Sequence, residues 1–289
     1  MKALVVGGTG LTGPIIVNGL IDRGYAVSIL HSGKHESELI PPDVEHIHID
    51  VHQRQQLDDA LEGRHFDIAF SMHGRLREVA DALKGHTERL ITVGGECVYR
   101  GWLRISNQHL FQTIEPSPVP TPEEGPLEEL GVDKFVDRML EAEQFVMSCH
   151  EQGHFNVTHF RYTIGYGPNQ IGPSEWSIVR RALDGRRQYL LPNGGQVLVS
   201  RGFSENCAHG LLLAVDQPDA SAGEIYNVCD ETLLTARKRV ELIAEIMGHE
   251  FEFVDVPTGI TQPGYLATYP PHMNYPYHEV MSLDKIKTQ

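Results

Sequence analysis

The strand-like run KALVV passes directly into GGTGLTG, residues 7–13, and a helical pattern follows at once. A glycine turn between a buried N-terminal strand and a helix constrains the fold strongly. It places the strand inside a parallel sheet and brings the helix start against the strand's carboxyl end. The pattern that follows agrees. AVSIL and EHIHI read as strands two and three, QRQQLDDALEG as a helix, FDIAF as a strand, LREVADALKG as a helix and ERLITVGG as a fifth strand. Short connections between alternating strands and helices predict an α/β protein, a Rossmann-type doubly wound parallel sheet with helices on both faces.

The regularity stops at TIEPSPVPTPEEGPLEELG, Thr113 to Gly131, whose five prolines and five glutamates predict an irregular surface segment. Beyond it, Val132, Phe135, Val136, Met139, Phe145 or Val146, and Cys149 recur at near-helical spacing and predict a long helix through about residue 151. HFNVTHF reads as the sixth strand. SIVRRALDG, ENCAHGLLLAVDQ and ARKRVELIAEIMG read as helices, and QVLVS, GEIYNVC and FEFVDV as strands. Residues 1–160 form the dinucleotide-binding domain, with sheet and helices completed by roughly 200–230. Segments 161–199 and 231–289 form a smaller C-terminal substrate-binding lobe of the same unit.

Gly7 permits the tight turn, Gly10 a close approach of backbone to pyrophosphate, and Gly13 close helix–strand packing. The loop residues Thr9, Leu11 and Thr12 complete a phosphate cradle at a helix N-terminus, where amide donors and the helix dipole favour anions. The second strand ends in ILHSGKH, with His31, Ser32 and Lys34 and no acid. Donors and a cation suit a 2′-phosphate, so NADP is expected over NAD. Asp50, with Val51 after it, ends the third strand where the adenine edge would lie.

In order along the chain, GGTGLTG, HIDV, VGGECVYRG, PEEGPLEELGVDK, FRYTIGYGP, ENCAHGLLLAV, GEIYNV and SLDKIK resemble the extended short-chain dehydrogenase/reductase family, in its branch of nucleotide-sugar epimerases and dehydratases. The resemblance spans nearly the whole chain. It implies further cofactor contacts at Met72, His73, Val93, Tyr162 and Thr163, and substrate contacts at Tyr166 and Arg201. The family's chemistry uses a serine or threonine, a tyrosine that transfers the proton, and a lysine that holds the nicotinamide ribose. These positions fall on Gly95, Leu130 and Lys134, so only the lysine is kept. Leucine cannot move a proton. GVDKF without the tyrosine is similar to a divergent subgroup that includes chloroplast stem-loop RNA-binding proteins. Ile164 stands where nucleotide-sugar enzymes commonly carry asparagine.

Four groups at the sheet's carboxyl edge could supply the missing acid or base: His73, Glu96, Tyr99 and Tyr166. Tyr99 and Glu96 lead, with Lys134, as catalytic candidates. The expected function is an NAD(P)-dependent oxidoreductase or epimerase/dehydratase-like enzyme acting on a small carbonyl or alcohol. The alternative is a non-catalytic dinucleotide-binding regulatory or RNA-associated protein. A formal net charge of −15 opposes nucleic acid, and the one dense basic run, RRALDGRR, reads as a solvated helix face. No apolar run is long enough to span a membrane, and the first residues carry no cationic leader, so a cytoplasmic protein is expected. Four dispersed cysteines read as reduced core thiols, and His46 and His48 as surface residues rather than metal ligands. A homodimer through the Lys134-bearing helix is expected, and the tyrosines and histidines of residues 257–280 suggest an aromatic-lined pocket.

Overall fold

The computed structural model of the chain describes residues 1–102, 117–170, 174–256 and 277–289. Seven strands form one sheet: β1 (Lys2–Val6), β2 (Ala26–His31), β3 (Glu45–His48), β4 (Ile68–Ser71), β5 (Arg89–Gly95), β6 (Asn156–Tyr162) and β11 (Glu224–Val228). Their spatial order is β11-β6-β5-β4-β1-β2-β3, and every pairing is parallel. The order reverses at β1, which opens a crevice beyond the strands' carboxyl ends between β1 and β4. Ala3 to Val6 of β1 are wholly buried, as expected for a strand covered on both faces.

Helices α1 (Gly13–Asp22) and α6 (Ser204–Asp216) cover one face. Ile16, Val17 and Leu20 meet Leu211 and Leu212 there. Helices α2 (Arg54–Leu61), α3 (Leu76–Ala82) and α4 (Lys134–Glu151) cover the other, over Leu4, Val6, Ala69 and Leu90. The buried stripe of α4 is Val136, Leu140, Glu143, Val146 and Cys149. Phe135 belongs to the solvent side, 54% exposed, which corrects its place in the expected apolar face. Asp133 sets that phase: its carboxylate accepts from the Phe135 amide at 2.7 Å and caps the helix immediately before Lys134.

The smaller lobe packs α5 (Ser174–Leu183) and α7 (Ala236–Ile246) on a parallel pair, β8 (Gln188–Pro192) and β13 (Glu252–Val256). Its core includes Ile178, Tyr189, Leu191, Val240 and Phe251. Two short ladders join lobe to sheet: β7 (Ile164–Tyr166) beside β10 (Arg201–Phe203), and β9 (Leu198–Val199) against β12 (Leu234–Thr235). The expected strand QVLVS thus shrinks to the two residues of β9. The last helix, α8, is Asp284–Thr288. Among the described residues no helix is long and apolar enough to cross a membrane. All four cysteines are free and buried. Within the basic run Asp184 lies 2.9 Å from Arg180 and 3.7 Å from Arg186. Most of the histidine- and tyrosine-rich segment, residues 257–276, lies outside the described residues, as does the first part of the proline-rich stretch.

Candidate active site

The glycine loop lies at the carboxyl end of β1, opening α1. Gly7 has φ +89°, and a Cβ there would press on the Met72 carbonyl oxygen at 3.2 Å. A Cβ on Gly13 would collide with the Gly8 backbone. Gly10 differs. Its φ is ordinary, and an added Cβ would meet nothing nearer than the Gly7 carbonyl at 3.9 Å. The fold does not demand glycine at position 10, which is what a backbone kept bare for an incoming group requires. Among the described residues the main-chain amides of Gly8 to Thr12 donate to no acceptor. An array of unused donors at a helix N-terminus fits a pyrophosphate. Leu11 leans over Gly165 of β7, and the Tyr162 hydroxyl reaches the Thr12 Oγ1 at 3.5 Å.

At one end of this cradle, His31 closes β2 and is buried, while Ser32 and Lys34 are exposed. The structure adds an acid that the end of β2 lacks in sequence. Glu36 lies 3.3 Å from His46 and 3.4 Å from His48. Asp50 is exposed and accepts from the His52 amide at 3.0 Å, and Val51 is buried beside it. His73 stands here, its ring 6.1 Å from that of His52. Burial, with His52 and Arg75, holds its pKa below the ordinary value. The chain thus gathers His73 with Asp50 and His52 rather than with the other three candidates for proton transfer. Val93 lines the other side of β4 and packs partly on the core, and Thr163 donates its hydroxyl to the Ser200 carbonyl at 2.6 Å.

At the other end, the first turn of α4 packs on Cys97 and Val98, in the single 3-10 turn Glu96–Val98 that follows β5. Lys134 is exposed and has no partner among the described residues. A lysine in a helix's first turn opposes the dipole. Here Asp133 occupies the Phe135 and Val136 amides, and the Lys134 ammonium is left to offer its charge to an electron-rich ligand oxygen. Leu130 precedes the helix and is 59% exposed. Gly95, in the serine position, has ordinary room for a Cβ, 3.4 Å from Met139 Cε. Gly94 does not, because His159 Nε2 would lie 2.6 Å away.

Glu96 retains some accessible surface, yet protein surrounds its carboxyl, and burial pushes its pKa up to about 7 against the pull of Arg201. Glu279, 5% exposed, lies close enough to feel Glu96, and burial with that like charge raises its pKa well above the carboxylate range. Its remoteness in the chain hides it from sequence reasoning. Arg201 is 2% exposed. Its Nη2 donates to Ser174 Oγ at 2.9 Å and Glu175 at 2.6 Å, while Nε and Nη1 have no partner among the described residues. Tyr166 lies beneath this guanidinium and donates to Asp230 at 2.8 Å; burial and that carboxylate push its phenol up to about 12. Arg239 completes the group. Burial and Arg201 bring its pKa down to about 10. Tyr166, Glu175, Arg201, Asp230 and Arg239 line a cleft of roughly 1000 Å³ between α6, α7 and α8.

Tyr99 takes a different place from the one expected of a catalytic phenol. It is wholly buried and its hydroxyl is fully engaged, donating to Asn227 Oδ1 at 2.7 Å and accepting from Arg161 at 2.8 Å. Arg161 forms a fork with Glu143 at 2.9 and 2.7 Å and donates to the Glu123 carbonyl at 2.7 Å. Burial opposes ionisation of Glu143, but Arg161 and His159 outweigh it and hold the carboxyl at about 2. This network ties β5, β6, β11 and α4 into one frame. Cys97 is an inert thiol, its pKa raised by burial and by Glu96.

Residues 135–229 match the model of the NAD dependent epimerase/dehydratase family. The chain is similar to the bovine (Bos taurus) sterol-4-alpha-carboxylate 3-dehydrogenase, decarboxylating, at 24% identity over 80% of this chain. The match spans 65% of that relative's length. An epimerase from Methanothermobacter thermautotrophicus superposes with a TM-score of 0.76 at 17% identity, covering 99% of this chain and 85% of the other. A Thermus thermophilus UDP-glucose 4-epimerase in complex with NAD gives 0.73 at 18% identity, over 99% and 92%.

Proposed function

We propose that the chain belongs to the extended short-chain dehydrogenase/reductase superfamily, as the match of residues 135–229 and the 24% identical relative support, and that it is an NAD(P)-dependent oxidoreductase or epimerase/dehydratase-type enzyme acting on a small carbonyl or alcohol. One observation carries this reading. Unused amides at Gly8 to Thr12, with bare space over Gly10, lie at the carboxyl edge of the same sheet as a carboxyl that burial pushes up to about 7. A bound nicotinamide supplies the hydride acceptor and donor.

The chain supplies the rest. The loop amides hold the pyrophosphate, and Lys134 grips the nicotinamide ribose from the first turn of α4. Glu96 takes the hydroxyl proton during oxidation and returns it during reduction, since a pKa near the working pH populates both forms. Burial and the neighbouring Glu96 bias Glu279 towards its neutral form, which opposes two charges on the pair. Tyr166 and Arg201 anchor the substrate's far side, and the two unpartnered nitrogens of Arg201 favour one with an anionic or carbonyl oxygen there. Tyr99 has no part in proton transfer because Arg161 and Asn227 use its hydroxyl. NADP is the preferred cofactor, because Ser32 and Lys34 are exposed beside the ribose position. The protein acts in the cytoplasm as a homodimer through α4, whose Phe135 faces outward.

The second reading is a dinucleotide-binding regulator without turnover, favoured by the absent side chain at Gly95 and the solvent-facing Leu130. Calorimetric titration with NADPH, NADH and their oxidised forms tests the binding shared by both readings. Turnover across a carbonyl and alcohol panel then separates them. The enzyme reading expects turnover that falls at least about 100-fold in Glu96→Gln with cofactor affinity retained. Tight binding with no turnover by the wild type selects the regulator, and no binding removes both.

A further inference from the structure

Three histidines and one glutamate converge at the carboxyl ends of β2 and β3, next to Ser32 and Lys34 and with no role in the proton transfer assigned above. The parallel register sets His31 beside His48 and Ile29 beside His46, so three imidazoles emerge on one face of two neighbouring strands. Glu36 comes from the connection between the strands and closes the group. His31 Nε2 is 3.1 Å from His46 Nδ1, His46 Nδ1 is 3.3 Å from a Glu36 oxygen, and His48 Nε2 is 3.4 Å from the other Glu36 oxygen. One donor atom from each of the four residues lies within 4.8 Å of all the others.

These separations have a specific meaning. Zinc–nitrogen bonds of about 2.0–2.1 Å in a tetrahedron place neighbouring ligand atoms about 3.3 Å apart. The three contacts of 3.1, 3.3 and 3.4 Å cluster around that edge length. The ring contacts are edge-on, with interplanar angles of 71°, 81° and 84°, so the imidazoles do not stack. We propose that His31, His46, His48 and Glu36 form a site for a divalent transition-metal ion of the Zn²⁺ type, with three imidazole nitrogens and one carboxylate oxygen as ligands. Imidazole with carboxylate suits zinc and its neighbours, and calcium or magnesium would demand more oxygen donors.

The hydrogen bonding within the group leaves a deficit that a cation removes. Gly33 places its amide 3.3 Å from His31 Nδ1. With that nitrogen accepting, the ring proton lies on Nε2 and points at His46 Nδ1. The His46 nitrogen then presents a lone pair to both His31 and the Glu36 carboxylate. A metal ion replaces this crowding with four coordinate bonds. The His31 ring proton shifts to Nδ1, and the long Gly33 contact is released. An ion at this point pins the β2–β3 connection, whose Gly33 turns over the His48 ring with φ +69°.

Chelator-stripped full-length protein is titrated with Co²⁺ and followed by visible absorption. The expected result is one Co²⁺ per chain with the intense bands of a tetrahedral centre, abolished by one equivalent of Zn²⁺. His48→Gln and Glu36→Gln change side chains that are each 53% exposed, so the fold is not at risk. Each should weaken binding at least about tenfold, and the His46→Gln/His48→Gln pair should remove the tetrahedral bands. His154→Gln, on the exposed surface elsewhere, should leave them intact. No stoichiometric Co²⁺ in the wild type, weak octahedral bands alone, or tetrahedral bands that persist in the double variant overturns the assignment.

Discussion

Two buried arginines stand within the carboxyl half of the molecule, and their surroundings are opposite. Arg161 on β6 has all three nitrogens engaged, by the Glu143 fork, the Tyr99 hydroxyl and the Glu123 carbonyl. Arg201 on β10 has one nitrogen engaged and two idle. Both are nearly inaccessible, at 2% exposure each. A buried donor without a partner costs about 1–3 kcal/mol, so a fold that satisfies one guanidinium and neglects the other is using them differently. The first is part of the frame. The second keeps two donors unused, as the proposed contact with a ligand oxygen requires.

The sharpest way to break this contrast is to remove each guanidinium in turn. Arg161→Met leaves Glu143 charged and buried, and should cost about 3–5 kcal/mol in urea unfolding at pH 7. In the wild type the Glu143 pair contributes fully above about pH 4.5 and is lost as pH falls towards 2, since its folded pKa lies below the ordinary value. The variant should lose that acid dependence. An equally stable Arg161→Met protein would dissolve the distinction.

Glu96 carries the reverse sign. Its folded pKa of about 7 stands above the ordinary 4.5, so its contribution to stability declines as pH rises from 4.5 to 7. Glu96→Gln should therefore unfold at higher temperature than the wild type at pH 8, by up to about 3 kcal/mol, and match it near pH 4. Equal melting curves at pH 8 would place this carboxyl in water rather than in a crevice.

Arg201→Met should change stability by only about 1 kcal/mol, because Glu175 keeps a surface route to solvent and Arg239 nearby. Its effect belongs to the ligand: turnover should fall while cofactor titrations stay unchanged. Gly10→Ala is expected to alter stability least, within about 0.5 kcal/mol, since its Cβ meets open space. Dinucleotide affinity should nonetheless drop at least tenfold in the same variant. Unaltered affinity would show that the space over Gly10 is not where phosphates pass.

The frame was more legible than the site for a physical reason. Strands such as KALVV and ERLITVGG declare themselves because burial on both faces forces continuous apolar runs. Ile164–Tyr166 and Arg201–Phe203 are three-residue ladders with no such signature, and Gln188–Pro192 ends in proline, so these strands escaped the pattern, whereas FEFVDV was read and forms β13. The α4 stripe was blurred by Phe135, whose outward position follows from the Asp133 cap rather than from hydropathy. Glycine loop and Lys134 were readable because their spacing is local. The pairing of Glu96 with Glu279, and of His31 and Glu36 with His46 and His48, joins distant segments through the sheet register, and no linear spacing announces it. Tyr99 was conspicuous in sequence, and the hydroxyl's engagement by Arg161 and Asn227 becomes visible only in three dimensions.

Helix α4 carries Lys134 at its tip and Glu143 nine residues further along, about 13 Å at 1.5 Å per residue. Glu143 is riveted to the strands below, whereas the tip has only a capping aspartate and the small patch around Cys97 and Val98 to steady it. The lysine therefore rides a cantilever. Under the role proposed for Lys134, the place of its ammonium is then set by that cap and patch, and a change to either would move the grip on a ligand while leaving the Glu143 rivet in place.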